Sequence, residues 1–229
     1  MHDRDRTSPG DGWDVLSAFG RKLISGDVVI TFNYDATLER VLLMQGKWSP
    51  RNGYGFEVAF NDPQSKTSLE LRESSVKTLH LHGSIGWYNP SLTGASLDPS
   101  FLQLLGIGSV DSSLPSRPPS EDQILIWPTF LKNYELPSSI NNLFIRLWKS
   151  AAEALRTSDE ILIIGYSLPD ADAASFTLLT TNCERAKVRI VNPSLYDTHR
   201  LRTLLSDELV LVPKVSLQEW LNLTPDAPA

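Results

Sequence analysis

The sequence predicts an α/β fold: a doubly wound, mostly parallel sheet with helices on both faces and one inserted irregular segment. Three observations predict it. Short apolar, β-branched runs alternate with amphipathic stretches from residue 13 to residue 221. The run 161–164, isoleucine and leucine only, has the composition of a parallel strand buried on both faces. Four runs end in polar or glycine-bearing turns, at Asn33, His82, Gly165 and Asn192. Such turns at the carboxyl edge of an open α/β sheet are where ligands gather.

Taken in order, residues 1–12 carry charge, Gly and Pro and are expected to be a disordered end. Residues 13–24 space Trp13, Leu16, Phe19, Leu23 and Ile24 along one helical face, with Gly26 expected to cap it. Residues 28–30 form a strand, the turn Thr31-Phe32-Asn33-Tyr34-Asp35 follows, and 36–44 begins a helix. The Gly- and aromatic-rich stretch 47–60 has no clear period, and 61–74 is polar surface. Residues 76–81 alternate as a second strand, ending in the polar turn His82-Gly83-Ser84. His80 is expected to pack on the other side of that strand from His82. Residues 90–122, with Pro, Ser and Gly around the apolar island 101–105, read as an insertion, a lid or a small module. A short strand at 124–127, an amphipathic helix at 140–155 carrying Leu143, Phe144, Leu147 and Trp148, and the strand 161–164 come next. Helices at 171–181, 197–205 and 215–221 and strands at 188–191 and 209–212 complete the alternation. The organisation expected is one domain over 13–223 and a tail at 224–229.

Composition narrows the function. Hydrophobic residues at 41% and charged residues at 21% are ordinary for a globular chain of 229 residues. A net charge of −6 disfavours nucleic acid and anionic lipid as partners. The single cysteine, Cys183, excludes an intrachain disulfide and a zinc site of several thiolates. The polar start has no signal-peptide core and no stretch has the length of a membrane span, so the expected location is the cytoplasm. Asp170 and Asp172 read as acids at a helix N-terminus, not as metal ligands. Asn33, taken alone, suits a helix cap better than chemistry, and His82 and the other turns in order reverse that preference.

Four motifs in order, TFNYD (31–35), LHLHGS (79–84), IGYSLPD (164–170) and IVNPS (190–194), resemble the NAD-binding catalytic domain of sirtuins. They are closer to the SIR2-like domains of bacterial proteins, many of which act in antiphage defence. The segment WPTFLK (127–132) is also similar to these proteins. The resemblance implies a Rossmann-like fold and NAD+ as substrate. It implies that Asn33 is the catalytic asparagine holding a water and the nicotinamide ribose, and that His82 is the general base. Asp35 would contact the nicotinamide amide. Gly165 and Ser167 would face the ribose and phosphates, and Asn192 would lie near the adenosine ribose. Thr31, Phe32, Gly83 and Tyr166 would complete the nucleotide contacts. The physical reasons are independent of the family: breaking the nicotinamide bond builds positive charge at the ribose carbon, which calls for a base titrating near neutrality and an oriented amide.

Two departures modify that expectation. Sirtuin deacetylases hold a structural zinc on four cysteines, and this sequence has one, so no zinc is expected and hydrolysis of NAD+ to ADP-ribose and nicotinamide is favoured over protein deacylation. The family also opens with a strand and a Gly-Ala-Gly-x-Ser turn that cradles the diphosphate, which nothing before Asn33 resembles. The alternative is therefore a catalytically incomplete module that binds NAD or an ADP-ribose derivative, or a scaffold within a homo-oligomer or a larger defence complex.

Overall fold

The computed structural model describes residues 11–56, 73–88, 103–104, 123–125, 138–194, 197, 201, 210–211 and 215–224. Helix α1 (Asp11–Lys22) leads into β1 (Val28–Thr31), α2 (Thr37–Met44) and β2 (Lys77–His80). Strand β3 (Gly83–Tyr88) follows almost at once, then β4 (Gln103–Leu104) and β5 (Gln123–Leu125). Helix α3 (Ser138–Thr157), β6 (Glu160–Ile164), α4 (Ala173–Asn182), β7 (Lys187–Val191), β8 (Val210–Leu211) and α5 (Leu217–Leu223) complete the order.

Parallel pairing dominates the strands that carry the four turns. β1 runs parallel to β2, from Val28 opposite Lys77 to Thr31 opposite His80, with α2 in the connection. β6 runs parallel to β7, Ile161 opposite Val188 and Ile164 opposite Val191, with α4 in the connection. β8 pairs parallel to the far side of β7. This is the strand–helix–strand pattern read from the sequence. Among the described residues the ladders make three sheets rather than one.

The third sheet departs from the sequence reading. Gly83 opens a strand rather than continuing a turn, and β3 pairs antiparallel with β4 and β5, Trp87 opposite Leu104 and Tyr88 opposite Gln123. Two glycines interrupt its alternation and its partners lie far along the chain, so local pattern conceals it. Part of the expected insertion, at 103–104, thus forms sheet.

Side chains of β6 alternate between two apolar clusters. Ile161 and Ile163 enter the larger one, with Leu143, Phe144, Leu147, Ala151 and Leu155 of α3 and Leu178 and Leu179 of α4. Leu162 and Ile164 pack against the smaller one, formed by Phe19 of α1, Val191 of β7, and Trp220 and Leu221 of α5. The expected two-sided burial is full on the first face and partial on the second. At roughly 25 cal/mol per Å² of apolar area removed from water, both faces stabilise the strand.

The helices begin and end within two or three residues of the sequence expectation, the usual scatter of helix boundaries. Helix α1 starts at Asp11, inside the segment expected to be disordered, and Ile24 is exposed instead of sharing the apolar face. Gly26 does not cap α1. Its φ of +97° serves a turn in which the Asp27 carboxylate accepts from the Ile24 N–H at 2.8 Å. Lys47 closes the helix instead: its ammonium donates to the carbonyls of Gly20, Arg21 and Leu23 at 2.6–2.8 Å. Its own carbonyl accepts from the N–H groups of Ser75 and Val76, both at 3.0 Å. One residue therefore satisfies the open carbonyl end of α1 and fixes the approach to β2.

The disordered end over 1–10, the polar surface at 61–72, most of the insertion at 90–122, the segment 127–132, the tail at 225–229 and most of the expected helix 197–205 lie outside the described residues. Among the described residues, no helix is long and apolar enough to cross a membrane.

Candidate functional site

All four turns leave the carboxyl ends of parallel strands: Phe32 and Asn33 after β1, His82 just beyond β2, Gly165 and Tyr166 after β6, Asn192 after β7. Contacts join them. The ring of Phe32 stacks on Tyr166 at 4.5 Å and 19°, and lies 5.3 Å from His82. The Asn192 amide donates to the Tyr166 carbonyl at 3.4 Å, and its own oxygen accepts from the Ser194 N–H at 2.9 Å. The ends of β1, β2, β6 and β7 thus form one contiguous group.

His82 is the centre of this group. It is 3% exposed, and its Nε2 lies 3.1 Å from Oδ2 of Asp172, which is 1% exposed. Asp172 is the N-cap of α4, accepting from the Ser175 N–H at 3.2 Å, and the Ser175 hydroxyl also donates to it. The Tyr166 hydroxyl reaches the same carboxylate at 3.4 Å. A buried carboxylate needs this many donors to offset the cost of leaving water. Tyr34, its ring 6.4 Å from His82, has its hydroxyl pKa raised, first by burial and then by the negative charge of Asp172. Its carbonyl accepts from the Ser84 hydroxyl at 3.1 Å, which ties the β1 turn to the start of β3.

The other histidine of the LHLHGS motif sits apart. His80 is fully buried, with Nδ1 3.1 Å from the Asn33 carbonyl and Nε2 2.5 Å from Oε1 of Glu39 on α2. Packing is therefore its role, as expected, but not because it faces the other side of the strand. Residues two apart in a strand share a face. The rings separate because β2 ends at His80 and the chain turns through Leu81 and His82.

Asn33 and Asp35 are exposed, and their polar atoms do different work. Asp35, not Asn33, supports the following helix: its carboxylate accepts from the Thr37 N–H at 3.0 Å. Asn33 donates its backbone N–H to the Thr31 hydroxyl at 3.1 Å and offers its carbonyl to His80. No described contact carries the Asn33 amide away from the strand edge, so this candidate is at the mouth of the group while His82 is inside it.

The loop after β6 is shaped for close approach. Gly165 has φ +60°, and a Cβ there would meet nothing within 4 Å, so open space borders its backbone. Left-handed conformation is open to glycine at no steric cost, and bare backbone lets a phosphate come near. Leu168 also has positive φ, 49°, and is 1% exposed. Burial of its side chain holds a backbone conformation that costs a non-glycine residue roughly 1 kcal/mol. Ser167 beside it is exposed, and Gly83, the first residue of β3, takes φ +82° directly after His82. Among the described residues no group of three or more His, Cys, Asp or Glu side chains could hold a metal ion.

Sequence reasoning places Asp172 only as an acid at a helix start and misses its contact with His82. The two are far apart in the chain, and no local pattern links them. Its signal, had there been one, was the polar Asp172-x-x-Ser175 pair opening a helix directly after the Gly165 turn.

Comparison with known proteins fits this geometry. No curated protein gives a match to the chain. A family model described as a SIR2-like domain matches residues 27–178, more than half of the chain. The match takes in β1, β2, β6 and the start of α4, hence Asn33, His82, Gly165 and Asp172. The chain belongs to the SIR2-like domain family, which is sirtuin-related and binds NAD.

Proposed function

We propose that the chain is an NAD+ glycohydrolase, releasing nicotinamide and ADP-ribose. The observation that carries this reading is the buried His82 with its carboxylate partner, set among the ends of four parallel strands. In the reaction, the bond from the nicotinamide nitrogen to the ribose carbon breaks and its electron pair stays with nicotinamide, which leaves neutral. Water adds to the ribose carbon and its proton passes to a base. His82 is that base, acting on the water or through a ribose hydroxyl. Asn33, at the exposed edge, orients the water and the ribose. Gly165 and Ser167 offer backbone and hydroxyl donors to the phosphates, with Tyr166 and Gly83 alongside, and Asn192 lies toward the adenosine ribose. Thr31 and Phe32 shape the nicotinamide end together with Asp35. This reading takes the β1–β2 and β6–β7–β8 ladders as parts of one Rossmann-like, doubly wound sheet within a domain of residues 13–223, for which the helices on two sides of β6 are the support. The resemblance to bacterial defence proteins makes depletion of NAD during phage infection the natural use of such an activity.

The test is nicotinamide release from NAD+ by the purified chain, with Asn33→Ala and His82→Ala alongside. Release is expected, and each variant should lose about 100-fold or more while keeping its circular dichroism. A folded wild-type chain that binds NAD without releasing nicotinamide would replace the hydrolase by the binding module. A variant with full activity would remove that residue from the mechanism.

A further inference from the structure

The surroundings of Asp172 are richer than a helix cap requires. Capping α4 needs one acceptor for the Ser175 N–H, which a neutral Asn or Ser supplies equally well. Here Oδ1 takes that bond, and Oδ2 gathers the Ser175 hydroxyl, the Tyr166 hydroxyl and Nε2 of His82. An ionised carboxylate only accepts, so every partner must present a hydrogen to it. For His82 this means that Nε2 carries the hydrogen and Nδ1 is the ring atom that takes up a proton.

We infer that Asp172 is the positioning residue of His82: it fixes the Nε2–H tautomer and holds the ring toward the strand ends. The catalytic consequence rests on the hydrolase reading; the tautomer does not. The titratable side chains near His82 include Asp172 from α4 and Tyr34 from the β1 turn, with Tyr166 of the β6 turn on the same carboxylate. Tyrosines carry no charge near neutrality, so the carboxylate is the charge among these three that acts on the ring. Asp172→Asn removes that charge and keeps the shape of the side chain. The helix cap survives, because Asn caps as well as Asp.

The experiment uses the full chain with ¹⁵N-labelled histidine, the His82 signals being assigned by their loss in His82→Gln. The wild type is expected to show a protonated Nε2 and an unprotonated Nδ1 at neutral to mildly alkaline pH. In Asp172→Asn that preference should fade toward a mixture. In turnover, kcat should fall by about 100-fold with KM little changed. A purely structural cap would leave the tautomer in place. A wild-type ring with its hydrogen on Nδ1, or a tautomer unchanged in Asp172→Asn, overturns the inference, and Asp172→Ser, which also caps a helix, takes the place of Asp172→Asn if that variant does not fold. A wild type with the expected tautomer but no nicotinamide release would sink the hydrolase reading and leave the role of Asp172 standing.

Discussion

Glu39 and His80 show how much a single residue pair can hold in place. Their side chains are buried, and the Asn33 carbonyl, which can only accept, assigns the hydrogen of His80 Nδ1. One further hydrogen then lies between Nε2 and Oε1, 2.5 Å apart. The pair couples α2 to β2 and fixes the backbone of the residue proposed to meet substrate. Removing one partner strands the other away from water, a loss of about 3 kcal/mol, whereas removing both leaves nothing stranded. Glu39→Leu and His80→Leu should therefore each lower stability by about 3 kcal/mol, and the double variant by little more than one of them. Urea unfolding of the four chains measures this, and additive losses would show that the pair is not coupled. His82, two residues on, has the same kind of partner in Asp172, drawn from a different helix.

At the scale of elements, what was legible in the sequence was whatever neighbouring residues determine. The strands β1, β2, β6 and β7 declare themselves as apolar runs stopped by polar turns, and α3 by the spacing of Leu143, Phe144 and Leu147, all buried. The same logic placed Asn33, His82, Gly165 and Asn192 at one edge, because parallel strands share a carboxyl end. What escaped depends on partners distant in the chain. Strand β3 owes its existence to β4 and β5, and its glycines hide the alternation. Trp87, by contrast, reads from the sequence as core more than cleft, as aromatics after a strand do, and it is fully buried, in edge-to-face contact with Tyr54 at 5.2 Å. Asp172 meets His82 because the end of β6 lies against the ends of β1 and β2, strands far away in the chain. The exchange of roles between Asn33 and Asp35 is of another kind: both residue types cap helices, and only the geometry of the turn selects Asp35.

For the molecule as a whole, burial of titrating groups sets the alkaline limit of stability. Burial pushes the Cys183 thiol from 9.0 up to about 11, and burial with the nearby Glu39 raises Tyr54 well above its usual 10.0. In the unfolded chain these groups release protons at their ordinary values while the folded chain still holds them. The unfolded state then binds fewer protons, and stability falls as pH rises. For Cys183 the window runs from about 9 to about 11. Between about pH 8 and about pH 10.5, Cys183→Ala should lose about 1 kcal/mol less stability than the wild type, allowing for solvent screening. Parallel urea titrations at the two pH values would show it, and equal losses would discharge Cys183 from the effect.

Lys47 has a consequence in the time domain. Its ammonium grips the end of α1 and its carbonyl grips the two residues before β2, so one side chain and its backbone tie the two segments together. Amide hydrogens of the last turn of α1 and of Ser75 and Val76 should exchange with solvent through one shared opening, at matching free energies. Replacing Lys47 with Met would let the helix end exchange faster, independently of the strand, and native-state exchange followed residue by residue would reveal the split. The first helix and the strand that presents His80 are thus expected to open as one unit.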